Sequence, residues 1–419
     1  MTMHGQTRSA KRVAPTYAPV RMPSRAVEYA YYLSLMFSAL APALGLDIPF
    51  VAGGMILIVS AICIRQVRSS AKVVYSPIGF LLACAISFLF IQIAVHGESI
   101  MGGTVRVFII WILQLIIIRS LCLRQGFPLR FSLVMFVIGL IPLPYLTFQS
   151  TDVVERARVG IETGGLSHPG SLAEWFGFLT VYFALFGLET KRVVVRTTSW
   201  LAATGCLFIV GLTVTRGALF GTAIAVTVGF RGILRRGFVP VLTVIMILGL
   251  FFASGLFDRA ISHYEKRGME ETGRELIWPA VIERIAAAPL IGVGALNVGT
   301  YALHEDRQSP PHNSFLFFAL SSGIIPSVFY VVFWIQAVWR SFSHTERFKD
   351  VSFRIPFLLY TFVSVMIGDL GFMAAWALLA LSVGAGWRAA DQPKRVLIRR
   401  SGGRQTAQPL RPRPEAARY

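Results

Sequence analysis

Charge is scarce in this chain of 419 residues: 15% are Asp, Glu, Lys or Arg, against 55% hydrophobic, and the mean hydropathy is +0.63. Soluble domains carry about 25% charged residues, so this composition excludes a soluble globular protein and points to a polytopic membrane protein. Cysteine is equally thin. Cys63, Cys84, Cys122 and Cys206 fall in or beside apolar runs or on the inner side, which leaves no outer disulfide framework and no CxxC metal site. The first apolar run lacks a small-residue cleavage site and reads as a retained helix, not a removed leader. No convincing internal repeat is present, which argues against a transporter built from repeated halves.

What the chain has in abundance is apolar sequence. About 20 residues of helix are needed to cross a hydrocarbon core of about 30 Å. About twelve candidate spans follow one another, at 27–45, 48–64, 76–95, 104–118, 131–148, 172–188, 199–214, 218–230, 238–257, 313–339, 355–368 and 370–387. The fold expected is an all-α polytopic membrane protein with one long outer loop that contains short amphipathic helices. In this division 1–26 is a basic cytoplasmic tail, 27–257 holds nine spans, 258–312 is a long periplasmic loop, 313–387 holds three more spans, and 388–419 is a second basic tail. Both tails, rich in Arg and Pro, are expected to lack a packed core.

Lysine and arginine flanking spans stay on the cytoplasmic side. With the amino-terminal tail inside, every second connection is basic: Arg65, Arg68 and Lys72; Arg119, Arg124 and Arg130; Lys191, Arg192 and Arg196; Arg231, Arg235 and Arg236; Arg340, Arg347, Lys349 and Arg354. The net charge of +19 and the pI of about 10.4 are therefore a topology signal, with some attraction to anionic membrane lipids, and call for no nucleic acid. Parity then makes 199–230 a hairpin, because the basic segments on both sides of it belong inside. Its outer turn is Thr213-Val214-Thr215-Arg216-Gly217, and Asp369 marks a second tight outer turn.

The candidate functional groups, Arg216, His168, Arg274 and His312, all fall on the outer side. The polar stretch 258–312 also collects Arg259, Lys266, Arg267, Arg284, Arg307, His263 and His304. Within it Ile277, Val281, Ile282 and Ile285 recur at helical spacing, so a short amphipathic helix is expected to begin at Arg274 and to lie flat over the bundle. Pro289-Leu290-Ile291-Gly292-Val293-Gly294 ends it, and Trp278 suits an interfacial anchor.

In order along the chain stand Thr215-Arg216-Gly217-Ala218 at an outer turn, Gly273-Arg274-Glu275-Leu276-Ile277-Trp278 in the long loop, the Pro289 to Gly294 turn, and His312-Asn313-Ser314. This ordered set, over roughly 166–323, resembles the O-antigen ligase family, and similar loops occur in the related O-antigen and exopolysaccharide polymerases. The resemblance implies a membrane-embedded glycosyltransferase fold (GT-C-like) in the bacterial inner membrane. It also implies transfer of a glycan from undecaprenyl diphosphate, without a metal or other cofactor, to an acceptor such as the lipid A core. It places diphosphate binding on Arg216 and Arg274 and the catalytic role on His312. Around His168 the chain reads Gly164-Gly165-Leu166-Ser167-His168-Pro169-Gly170, where relatives often read asparagine and proline.

The residue chemistry agrees. A glycan leaving a polyprenyl diphosphate deposits charge on the diphosphate, and a planar guanidinium can engage two phosphate oxygens at once. Two such groups in a partly dry site can stand in for a divalent cation. Imidazole exchanges protons near neutral pH and can accept one from an acceptor hydroxyl; Asn313 can orient it or the sugar. No Asp-x-Asp pair occurs in the outer loops, and the adjacent acids Glu270-Glu271 and Glu305-Asp306 read as charged loop faces. Each candidate also has a plain reading: His312 as part of a helix cap, Arg216 as a snorkelling anchor, Arg274 as one of many loop cations, and Trp278 as an interface anchor. A transporter of lipid-linked sugars is the alternative from another class.

Overall fold

The computed structural model describes residues 24–43, 77–99, 126–150, 158–161, 169–234, 274–301, 308–309 and 311–343, with isolated positions at 105–121 and 249–265. The expected spans 48–64, 104–118, 238–257, 355–368 and 370–387 lie outside them, save for single positions, so the count of twelve rests on the sequence. The helices are α1 (Arg25–Ala43), α2 (Pro77–Ala94), α3 (Phe127–Leu140), α4 (Pro169–Glu189), α5 (Val193–Leu212), α6 (Arg216–Leu234), α7 (Arg274–Ala287), α8 (Ser314–Ser322) and α9 (Ile324–Ser343). By length and composition alone, Pro169–Leu188 and Val193–Leu212 are long and apolar enough to cross a membrane.

One packing unit is built around α4. Leu172, Trp175, Phe176, Leu179 and Tyr182 are fully or nearly fully buried, and both α5 and α6 pack more extensively on α4 than on each other. Lipid is as apolar as these side chains, so close van der Waals contact and a few satisfied polar groups hold such helices together. One of those groups is Ser132 on α3, whose hydroxyl lies 2.7 Å from that of Tyr182 on α4. Another ties α1 to α3. Arg130 Nε and Nη2 donate to Oε1 and Oε2 of the buried Glu28 at 2.6 and 3.0 Å, and the Tyr32 hydroxyl donates to Oε1 at 2.7 Å. The carboxylate is buried but fully engaged, the condition under which a buried charge is tolerated.

The helix break expected within 199–230 is present. Helix α5 stops at Leu212, the chain turns through 213–215, and α6 starts at Arg216. Two other expectations are corrected. The run 131–148 is not one helix: α3 ends at Leu140, Pro142 and Pro144 enforce a short 3-10 turn, and Leu146–Gln149 forms strand β1, paired antiparallel with β2 (Arg158–Ile161). A second ribbon pairs β3 (Thr300–Tyr301) with β4 (Gln308–Ser309). Among the described residues the fold is thus mostly helical, with two small two-stranded ribbons that the all-α expectation did not include.

The run 313–339 is likewise two helices. Gly323 breaks it with φ 74°, and a Cβ at that position would collide with the carbonyl of Leu290. Helices α2, α8 and α9 form the second packing unit, with Phe88, Phe108, Phe318, Tyr330, Phe333 and Trp334 in its core.

Candidate functional site

The break at Gly323 turns α8 back along α9. The Ser314 and Tyr330 hydroxyls lie 2.9 Å apart, the Phe315 ring is 4.9 Å from Tyr330 and 6.5 Å from Trp334, and Phe318 stands 5.7 Å from Phe88 on α2. Helix α8 therefore runs antiparallel to α9 and parallel to α2. Its first turn is level with the second turn of α9, set back roughly 10 Å from Gly323 at about 1.5 Å per residue. The expectation of His312 at the head of a single long helix is corrected: the chain passes His312, climbs the nine residues of α8, and only then enters α9.

Asn313 caps α8. Its side-chain oxygen accepts from the backbone N–H groups of Phe315 at 2.9 Å and Leu316 at 3.2 Å, which satisfies two of the donors that a helix start leaves open. The capping role thus belongs to Asn313 and not to His312. His312 is half-buried and holds a left-handed backbone, φ 47°. Just before it, the Pro311 carbonyl accepts from the indole N–H of Trp278 at 3.0 Å. Trp278 is half-buried, and this bond ties α7 to the residue before the histidine.

Helix α7 packs along α8, with Ile277, Val281 and Leu320 as the shared core. The Pro289 to Gly294 turn then closes on the far end of α8. Val293 N–H donates to the Leu320 carbonyl at 2.8 Å, Gly294 N–H to the Ser321 carbonyl at 3.0 Å, and Ile324 N–H to the Pro289 carbonyl at 2.9 Å. Gly292 has φ 69°, and a Cβ there would meet the Ser321 and Ser322 backbone at 2.5 Å; only glycine lets the two chains approach this closely. Arg284 is spent on structure, donating to the carbonyls of Gly299 at 2.7 Å and Asn297 at 2.6 Å.

Arg274 is the first residue of α7 and Arg216 the first of α6. A cation at a helix amino terminus opposes the helix dipole, but the open N–H groups and the guanidinium both attract an anion. Arg216 is exposed and follows a strained turn: Val214, buried, has φ 55°, costly for a β-branched residue. Helix α6 belongs to the core around α4 and the His312 corner to the core around α2 and α9. The described contacts thus bring Trp278 to Pro311, next in sequence to His312 and Asn313, with Arg274 on the same helix as Trp278 and Arg216 in the other unit. His168 lies outside the described residues, as do Glu270, Glu271, Glu305 and Asp306.

Gln92, at the carboxyl end of α2, was not a sequence candidate. It is fully buried, and its signal was the amide itself, a polar side chain inside an apolar run.

Residues 200–331 match the family model described as O-antigen ligase. The match contains Arg216, Arg274, Trp278, His312 and Asn313, reaches into α9, and begins after His168. No curated protein matches the chain.

Proposed function

From the match of residues 200–331 to the O-antigen ligase family model, we propose that this chain is a membrane glycosyltransferase that moves a glycan from undecaprenyl diphosphate to an acceptor hydroxyl on the periplasmic face. The observation that carries the reading is the corner at His312: a histidine on a left-handed backbone, beside a capped helix start, with the carbonyl of the preceding Pro311 held by Trp278. In the reaction, the His312 imidazole takes the proton of the acceptor hydroxyl as its oxygen attacks the anomeric carbon. The bond from that carbon to the diphosphate oxygen breaks, and its electron pair leaves on the diphosphate.

Arg216 and Arg274, each opening a helix, supply the positive charge that the leaving group needs, in place of a divalent metal. Lipid A core is the first acceptor to try. A polymerase would use the same donor groups and differ only in passing the glycan to a growing chain.

The test is made in cells whose surface glycan depends on the protein. His312→Ala is expected to leave the protein inserted at normal level and to abolish glycan attachment. Arg216→Ala is expected to cut attachment at limiting donor and to recover part of it when donor is raised. Normal attachment by inserted His312→Ala protein refutes the mechanism.

A further inference from the structure

Three elements meet at one buried amide. Gln92 Nε2 donates to the Ser321 carbonyl at 3.0 Å and to the Ser322 hydroxyl oxygen at 2.8 Å, while its Oε1 accepts the Ala295 N–H at 2.7 Å. Both ends of the amide are thereby used, one on the last turn of α8 and one on the chain that leaves the turn after α7. The contacts next to it point the same way. His96 Nε2 donates to the Ile291 carbonyl at 3.0 Å, and Glu98 Oε1 accepts from Leu296 N–H at 3.1 Å. The end of α2 is thus docked on the turn and on α8 together.

A buried amide in an apolar setting is costly unless every group is paired, and here the pairing holds the break in the α8–α9 hairpin. Helix α8 is short, roughly 14 Å at about 1.5 Å per residue. It bears Ser321 and Ser322 at one end and the His312-Asn313 corner at the other. A tilt at the Gln92 end is carried to the histidine end with little loss, because nine hydrogen-bonded residues move as a rod.

We propose that Gln92 is a positioning residue for His312: by bridging α2, the turn after α7 and the last turn of α8, it fixes the place and tilt of the half-helix that presents the histidine. The proposal rests on the transfer reaction proposed above for its kinetic readout, and on geometry alone for its structural one.

The variants are Gln92→Met, which keeps the bulk and removes both ends of the bridge, and Ser322→Ala, which removes one contact and leaves the Ser321 and Ala295 bonds. Full-length protein in detergent is assayed for transfer. A second, activity-independent measurement uses spin labels at positions 312 and 86 in a background with the four cysteines replaced. Gln92→Met is expected to lower kcat on the order of 100-fold, the effect of a misplacement of about 1 Å, with the donor KM unchanged within about twofold. It is also expected to broaden the label distance distribution. Ser322→Ala is expected to fall between Gln92→Met and wild type on both readouts, and it decides alone if Gln92→Met does not fold. A narrow, unchanged distribution, or an unchanged kcat, in the folded variants overturns the proposal. If wild-type protein transfers no glycan, the proposed function falls, and the label distances by themselves decide the role of Gln92.

Discussion

His312 and Val214 are, among the described residues, the two non-glycine positions with positive φ, at 47° and 55°. Such backbones cost about 1–3 kcal/mol each and persist where the surroundings over-determine them. Both lie within a few residues of a predicted site group, one being the histidine itself. Glycine adopts this conformation freely whereas alanine does not. His312→Gly is therefore expected to be about 1 kcal/mol more stable to thermal unfolding than His312→Ala, with both variants inactive; equal stability would mean that the left-handed turn is not held in solution. Asn313→Ala is expected to cost about 1 kcal/mol through loss of the cap, and Asn313→Ser much less. At this scale the candidates were legible in the sequence, since a histidine closing a polar stretch before an apolar run is visible in the string. The string did not expose how they are held. The φ of His312 and the Trp278 bond to Pro311 are tertiary facts with no local signature.

The unexpected element is the half-helix α8. Read as hydropathy, 313–339 is one long apolar run, and its length fits a single span. The break was signalled by Ser321-Ser322-Gly323, small and polar residues that punctuate a helix. Such a signal stays ambiguous on its own, because membrane helices tolerate Ser and Gly when neighbours satisfy the freed backbone groups. Here the neighbours are Val293, Gly294 and Gln92, far away in sequence. Gly323→Ala would set a Cβ against the carbonyl of Leu290 on a backbone already left-handed. A loss of at least about 2 kcal/mol in detergent is expected, together with loss of transfer. Gly205→Ala, in helix α5 with open space around the added methyl, is expected to gain about 0.5–1 kcal/mol. If both substitutions behave alike, the interlocked junction between the α7 turn and α8 is not formed.

Across the molecule, residues 200–331 reach from the unit built on α4 to the unit built on α2 and α9. That span contains both Arg216 and His312. Hydropathy made the mostly helical character legible, because it is a property of single segments. Which helices pack together was not legible, since every apolar run resembles the others in composition. Helix α4 shows no sequence sign of being central, yet most of its apolar stretch is buried among the described residues whereas most of that of α5 is not. The inside–outside alternation leads to an expectation at this scale: reporter fusions at both termini should report cytoplasm and fusions within 258–273 should report periplasm, and a reversed pattern would put His312 on the wrong face for the proposed donor.

The central claim is covalent transfer, and mass analysis of the product tests it most directly. Purified protein in detergent, with no membrane to cross, is mixed with undecaprenyl-diphosphate-linked glycan and lipid A core. The account predicts that wild-type protein adds the mass of the glycan to the acceptor and that His312→Ala adds none. An unmodified acceptor with wild-type protein, alongside movement of the lipid-linked glycan across liposomes containing that protein, would contradict it and make the chain a transporter.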